Sequence, residues 1–259
     1  LRATDIDRSE YAEMDEHAPE WKENGAMMIL HQHAHGSGSF YDPDLVRLCE
    51  VYSIWGASEG GTVEAGSGPR SGTRSMAATR PLMPARDRDY AGHLGADLLA
   101  KGWILGFMAA SDDHAGRPGK TDWLRTRRAY PGGLAGVWMP ELTREALWDA
   151  LWNRRCYGTS GARIALEFEL DGAPMGSILE GDRPEPQIEV SVTGTETVAL
   201  VEVLRGREVI YTHTGVGPVV HFVLTEPEPP AEGCYYYVRV TQVDGEMAWS
   251  SPVWTAHRE

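Results

Sequence analysis

The sequence predicts an α/β region followed by an all-β region resembling a sandwich. In the first part of the 259-residue chain, short apolar runs that end at Gly or Pro alternate with segments of helical periodicity. From residue 163 onward the helical period disappears, and short runs alternate between apolar and polar residues, as half-buried strands do. We therefore place a domain boundary near residue 162, which divides the chain into residues 1–162 and 163–259.

The elements of the first region follow from local signals. Apolar residues at helical spacing predict a surface helix over 5–23, and the Asn24–Gly25 pair that follows it is a C-cap signal. Thr143 is a suitable N-cap for a later helix. Short buried strands are expected over 26–30, 49–53, 103–110 and 134–138, helices over 90–101 and 144–153, and a helical turn over 42–48.

Residues 60–89 are rich in Gly, Ser, Arg and Pro and have almost no apolar pattern. A structureless segment of this length is uncommon in a compact domain and is usually a functional lid or a solvated loop. Both interpretations stay open, and the lid would meet an anionic substrate through its arginines: Arg70, Arg74, Arg80, Arg86 and Arg88.

The second region contains six or seven short alternating runs with turn signals between them. Asp–Gly pairs at 171 and 244 and the Pro-rich segment 227–230 supply the turns. This spacing is typical of a β-sandwich. The clearest strands are expected over 165–170, 187–192, 198–204, 208–212, 219–224 and 235–241.

Composition restricts the partners. The formal net charge of −14 disfavours nucleic acid and anionic membranes, both of which require clustered Lys and Arg, and no apolar run approaches the roughly 20 residues of a membrane span. A small anionic substrate held at a metal remains compatible with this charge.

Cys49, Cys156 and Cys234 have no metal or redox spacing and are expected to be buried free thiols. They leave a cytoplasmic or a periplasmic location open.

The strongest chemical signal is Asp112 and His114, which follow a predicted buried strand and precede a Gly–Pro loop. A carboxylate and an imidazole two residues apart can point the same way at the end of a strand, where α/β proteins place their chemistry. This donor pair suits a divalent metal such as zinc, manganese or iron. Asp113 lies between them and is expected to orient a ligand.

A second group of candidate ligands lies upstream. His31, His33 and His35 alternate after a predicted strand, and spacing alone does not choose among them. Glu50 falls inside a short apolar strand, where a carboxylate is costly unless it is paired with a metal or a cation, or the strand is half exposed. Glu59 stands at the start of the long loop as a substrate-side or supporting acid, or as an ordinary loop acid.

Three segments, 49–59, 102–119 and 142–164, together resemble the DUF3604 family, which is related to the PHP (polymerase and histidinol phosphatase) metallohydrolases. The resemblance implies a distorted β/α barrel with two or three divalent metals at the carboxyl ends of its strands. Asp112 and His114 match the final D-x-H motif, and His31 matches the first of two histidines at a strand end. Glu50 and Glu59 match acidic positions of an intervening segment.

The chain departs from the family pattern because the opening His-x-His and the middle Glu and His ligands are absent. The resemblance therefore implies the C-terminal part of a longer domain, and either a missing N-terminal half or a homo-oligomer is left open as a partner.

The function expected from these residues is divalent-metal-dependent hydrolysis, of a phosphoester in the first instance and of an amide or sulfate ester otherwise. The alternative is a non-catalytic remnant or binding module, whose β-sandwich contacts protein or carbohydrate through aromatic residues in 235–237 and 249–254.

The hydrolase hypothesis assigns a role to each candidate residue. The metal ligands are His31, Glu50, Asp112 and His114, and the catalytic carboxylates are Glu50 and Asp112. The supporting or substrate-side residues are His33, Glu59, Asp113 and Arg117.

Overall fold

A computed structural model of the chain describes residues 8–31, 40–54, 56–60, 94–112, 131–230 and 233–255. Within these ranges no helix is long and apolar enough to cross a membrane. The helices are α1 (Arg8–Glu23), α2 (Gly95–Ala100) and α3 (Arg144–Trp152). The strands are β1 (Met28–Leu30), β2 (Val46–Ser53), β3 (Gly56–Ala57), β4 (Gly106–Ala109), β5 (Leu134–Val137), β6 (Cys156–Thr159), β7 (Ala165–Leu170), β8 (Ala173–Pro174), β9 (Ile178–Leu179), β10 (Gln187–Thr193), β11 (Val198–Arg205), β12 (Glu208–Thr214), β13 (Val219–Thr225), β14 (Tyr235–Gln242), β15 (Met247–Ser250) and β16 (Val253–Thr255).

The first sheet contains β1, β2, β3 and β4, with β2 at its centre. Strands β1 and β4 both run parallel to β2, and β3 returns antiparallel to its end. Almost every side chain of β2 is buried, as expected for a central strand with parallel neighbours on both sides. Side chains of α1 and α2, among them Ala18, Leu98 and Leu99, pack in the core of this sheet.

The C-terminal part is a two-sheet sandwich. Strands β13, β10, β7 and β8 form one antiparallel sheet, and the larger sheet has the order β12-β11-β14-β15-β6-β5, with β16 and β9 attached through β14. Strands β7 and β10 alternate between buried and exposed residues, as the sequence predicts. One apolar cluster joins the facing sheets: Leu166, Phe168, Leu170, Ile188, Val190 and Val192 from the small sheet, and Val201, Val203, Val238 and Val240 from the large one.

The large sheet extends across residue 162, because β5 and β6 precede that position and β6 pairs with β15. Residues directly beside strands of the large sheet also contact the parallel sheet. The backbone nitrogen of Phe107 in β4 donates to Ser251 Oγ at 2.9 Å, and the Gly133 nitrogen donates to the Ala110 carbonyl at 2.9 Å. The parallel sheet and the sandwich therefore share backbone contacts along β4.

Most of the predicted elements are confirmed, including α1, α3 and the main strands of the sandwich. The helical turn expected over 42–48 is wrong in its second half, because Val46 already begins β2 and its parallel partner β1 supplies the hydrogen bonds. Residues 156–159, just before the predicted boundary, form strand β6. Short strands such as β6 and β15 depend on pairing with each other, and neither has a periodic pattern of its own.

Replacing Gly158 with Ala is expected to destabilise the contact between β6 and β4. A Cβ added there would lie 2.9 Å from the Ala109 nitrogen and 2.9 Å from the Met108 carbonyl carbon, which are backbone atoms that cannot rotate away. Overpacking of this kind costs about 1–3 kcal/mol, so the free energy of unfolding measured by urea denaturation should fall by that amount. Gly217→Ala is the matched control, since a Cβ there meets nothing within 4 Å. Equal losses in both variants would contradict this packing.

The thiols of Cys49 and Cys156 should resist modification in the native protein. Both side chains are buried, and burial raises the pKa of Cys156 to about 12 and the pKa of Cys49 still further. The thiolate is the reactive form, so a disulfide reagent at pH 8 should react with Cys234, which is partly exposed, before the other two. Cys234→Ser should then remove the native reactivity, while the unfolded wild type exposes all three thiols. Rapid native reaction of two or more thiols would contradict the buried positions.

Candidate functional site

Three candidate residues meet at the carboxyl edge of the parallel sheet. His31 directly follows β1, Glu50 lies in β2, and Asp112 follows β4. The register pairs Leu30 with Cys49, which brings His31 beside Glu50. Because β1, β2 and β4 are parallel, their carboxyl ends lie at one edge, and the three side chains converge there.

The His31 ring contacts Glu50 through one nitrogen and faces Asp112 with the other. His31 Nδ1 lies 2.8 Å from Glu50 Oε2, and His31 Nε2 lies 3.8 Å from Asp112 Oδ2. The His31 side chain is 49% exposed, whereas the carboxylates of Glu50 and Asp112 are 7% and 10% exposed. The acids therefore form the floor of the site, and the imidazole stands between them and solvent.

The two carboxylates act on the charge state of the imidazole. The hydrogen bond with Glu50 and the negative charges of Glu50 and Asp112 raise the pKa of His31 above its ordinary value, and partial burial opposes them. The site therefore favours the protonated, positively charged form of the His31 ring.

Asp112 holds a backbone conformation that is uncommon for its type, with φ of 52° in the left-handed region. The chain before it is fixed by hydrogen bonds, since Ala110 N donates to Tyr52 O at 3.1 Å and Ile54 N donates to Ser111 O at 3.4 Å. Aspartate tolerates this region better than most residues, and strained residues of this kind concentrate at functional sites. The conformation directs Asp112 into the site at a small energetic cost.

The residue types at this edge are ones that bind divalent metals. One imidazole and two carboxylates are ligands that zinc, manganese and iron accept. Within the described ranges, however, no group of three or more His, Cys, Asp or Glu side chains is placed so that it could hold a metal ion. His31 Nε2 and Asp112 Oδ2 lie 3.8 Å apart, whereas Glu50 Oε2 lies within hydrogen-bond distance of His31 Nδ1.

Several predicted site residues lie outside the described part of the chain. These are His33, His35, Asp113, His114 and Arg117, together with the arginines of 70–88. The predictions for them stand as made.

The carboxylate of Glu59 belongs to a different cluster, between the parallel sheet and the sandwich. Arg239 Nη1 donates to both of its oxygens at 3.0 and 3.1 Å, Tyr237 OH donates at 2.6 Å, and Trp249 Nε1 donates at 3.0 Å. Arg239 also donates through Nε to Glu202 at 2.8 Å. Glu59 is thus buried among donors from β14 and β15, which gives it a structural role.

The sequence does not predict that these residues pair with Glu59, because they lie about 180 positions further along the chain. One signal was available: Arg239 is a charged residue inside the apolar strand Tyr235–Gln242. A charge in such a strand needs a buried partner. Burial and the charge of Glu59 raise the pKa of Tyr237 well above its ordinary value, so the phenol remains a donor.

The aromatic residues invoked for a binding module are mostly buried. Tyr236, Tyr237 and Trp249 are 0–1% exposed, and Trp254 is 8% exposed. The expectation that they form an exposed contact surface is wrong, because they fill the space between the sheets. Exposed aromatic side chains occur instead at Trp138 and Trp148.

Comparison with known proteins supports the family resemblance in part. The family model described as "Protein of unknown function (DUF3604)" matches residues 85–173. A protein of Chlamydia pneumoniae, described as uncharacterized, is 32% identical over 242 residues, which cover 86% of this chain and 36% of that protein. A Chlamydia trachomatis protein with the same description is 29% identical over 230 residues, covering 83% of this chain and 35% of its own length. The chain thus spans about a third of the length of these curated relatives.

Two solved β-domains align with part of the chain. The fibronectin(III)-like modules of CbhA from Clostridium thermocellum are 19% identical and cover 36% of this chain and 98% of their own, with a TM-score of 0.25. The CARDB domain of a Pyrococcus furiosus protein is 12% identical and covers 38% of this chain and 96% of its own, also with a TM-score of 0.25. The description of a sandwich rests on the strand pairing of this chain itself.

Glu59→Gln is expected to lower the stability of the chain strongly. Neutralising one partner of a buried ion pair leaves the other charge poorly compensated and costs about 3–5 kcal/mol. Glu208→Gln is the matched control, since Glu208 pairs with Arg205 on the surface, where an ion pair contributes about 0–1 kcal/mol. Urea unfolding of both variants measures the difference. A stability loss no larger than that of Glu208→Gln would contradict the structural role and favour the substrate-side role for Glu59.

Proposed function

We propose that this chain contributes part of a divalent-metal-dependent hydrolase centre that acts on a phosphoester. The observation that supports it is the convergence of His31, Glu50 and Asp112 at the carboxyl edge of three adjacent parallel strands. Open and closed α/β sheets place their active sites at this edge. In this proposal, β1, β2 and β4 belong to a distorted β/α barrel of the PHP type.

His31 and Asp112 would hold the metal, together with His114 as the second half of the D-x-H motif. A divalent metal in such a centre supplies a Lewis acid that lowers the pKa of a water molecule and polarises the scissile group. The chain's own contribution is electrostatic and geometric. Asp112 supplies a nearly buried negative charge at a fixed backbone position, and His31 supplies a nitrogen donor on the solvent side.

The substrate proposed is small and anionic. The acidic chain, with a net charge of −14, favours neither nucleic acid nor an anionic membrane as a partner. In this proposal, Arg117 and the arginines of 70–88 would contact the anionic group. Amide and sulfate esters are the competing substrates of the same centre, because a fold and a metal do not fix the substrate.

The experiment is a metal analysis with substrate assays on matched variants. The full chain, purified without chelator or affinity tag, should contain at least about one equivalent of zinc, manganese or iron by plasma mass spectrometry. His31→Ala and Asp112→Asn should lower metal affinity at least ~10-fold and abolish metal-dependent hydrolysis of a nitrophenyl phosphoester. Asparagine is chosen at Asp112 because it also tolerates a φ of 52°.

His221→Ala is the control for these variants, since His221 is 55% exposed on the sandwich and should affect neither readout. Wild-type protein that neither contains nor binds metal, or an Asp112→Asn variant with unchanged metal content and hydrolysis, would contradict the proposal. A wild-type chain that shows neither metal binding nor hydrolysis would favour a non-catalytic binding module.

A further inference from the structure

We infer that Glu50 is a positioning residue, which holds the His31 ring through Nδ1 and so directs Nε2 toward Asp112 as the metal-binding nitrogen. This inference rests on the proposed function, because it assigns a separate role within the same centre. It differs from the sequence-based expectation that Glu50 is itself a ligand or a catalytic carboxylate.

The first step is the assignment of the Nδ1 proton. An ionised carboxylate only accepts hydrogen bonds, so the 2.8 Å contact between His31 Nδ1 and Glu50 Oε2 requires a proton on Nδ1. In the neutral ring the lone pair then belongs to Nε2. This arrangement, in which a carboxylate binds one ring nitrogen and leaves the other for a metal, is the common orientation of metal-bound histidine.

The second step concerns the opposite side of the ring. His31 Nε2 lies 3.8 Å from Asp112 Oδ2, which is longer than a hydrogen bond. Metal bonds to nitrogen and carboxylate oxygen are each about 2.0–2.2 Å long, so two such bonds can span this distance. A cation held at this edge would therefore take His31 and Asp112 as ligands through Nε2 and Oδ2, whereas Nδ1 and Oε2 already lie at hydrogen-bond distance from each other.

The third step is the rigidity of Glu50. Its backbone lies in the central strand β2, its carbonyl accepts a hydrogen bond from Ser58 Oγ at 2.7 Å, and it is paired in register with Met108 of β4. Its side chain is buried, while the ring it contacts is half exposed. A buried acceptor on a paired strand, beside a half-exposed ring, is placed to decide the orientation of that ring.

Glu50→Gln and Glu50→Ala distinguish a positioning residue from a ligand. The Gln carbonyl can still accept from Nδ1–H, whereas Ala removes the acceptor. If Glu50 positions His31, the Kd for Co²⁺ should rise about 10–100-fold in Glu50→Ala and only a few-fold in Glu50→Gln. If Glu50 is a direct ligand, the two variants should lose affinity equally, and that result would overturn the inference while leaving the proposed function intact.

A second readout does not require metal. In the full chain treated with chelator, ¹⁵N NMR of the histidine rings at a pH where His31 is neutral should show the proton on Nδ1 in the wild type. Glu50→Gln should retain this tautomer and Glu50→Ala should lose it, while Glu189→Ala, which removes the exposed partner of His221, should leave His31 unchanged. A wild-type ring protonated on Nε2 instead would overturn the inference even if metal binds, and a wild type that binds no Co²⁺ would overturn both proposals.

Discussion

The buried ion pair between Glu59 and Arg239 is the interaction on which the arrangement of the two parts of the chain depends. Glu59 follows the parallel sheet and its backbone carbonyl accepts from Ala96 N at the start of α2, at 2.6 Å. Its side chain is bound by donors from β14 and β15. A single residue therefore ties the end of β3, the start of α2 and the large sheet together, and removing its charge would leave Arg239 to Glu202 alone.

The candidate site depends on this arrangement indirectly, through residues next to Glu59. The segment that ends at Glu59 also contains Ser58, whose hydroxyl fixes the carbonyl of Glu50 and whose backbone nitrogen donates to Val51 O at 2.7 Å. On the other side of β2, strand β4 is pressed against β6, where a glycine is required by the close approach of the backbones. The sandwich therefore supports two parts of the site. Through Glu59 and Ser58 it holds the backbone of β2 at Glu50 and Val51, and through β6 it supports β4, the strand that leads to Asp112.

Local signals were sufficient for part of this structure. The alternation in β7 and β10 and the N-cap at Thr143 are properties of neighbouring residues, and so is the position of Asp112 after a buried strand. Local signals do not predict which strands pair with each other, or in which register. The role of Glu59 depends on donors about 180 residues away, and β6 becomes a strand through β5 and β15. The sequence shows that Glu50 is a costly carboxylate in a buried strand, but its partner nitrogen follows only from the pairing of β1 with β2.

The charge of the site sets an order of events for the proposed reaction. Two nearly buried carboxylates face one imidazole, on a chain whose net charge is −14. Without a cation this edge repels an anionic phosphoester, since the carboxylates at least balance the charge of a protonated ring. A divalent cation adds two positive charges and inverts the local field. In the proposed centre, substrate binding at this edge would therefore follow metal binding, because the carboxylates that would attract the cation would also repel an anion in its absence.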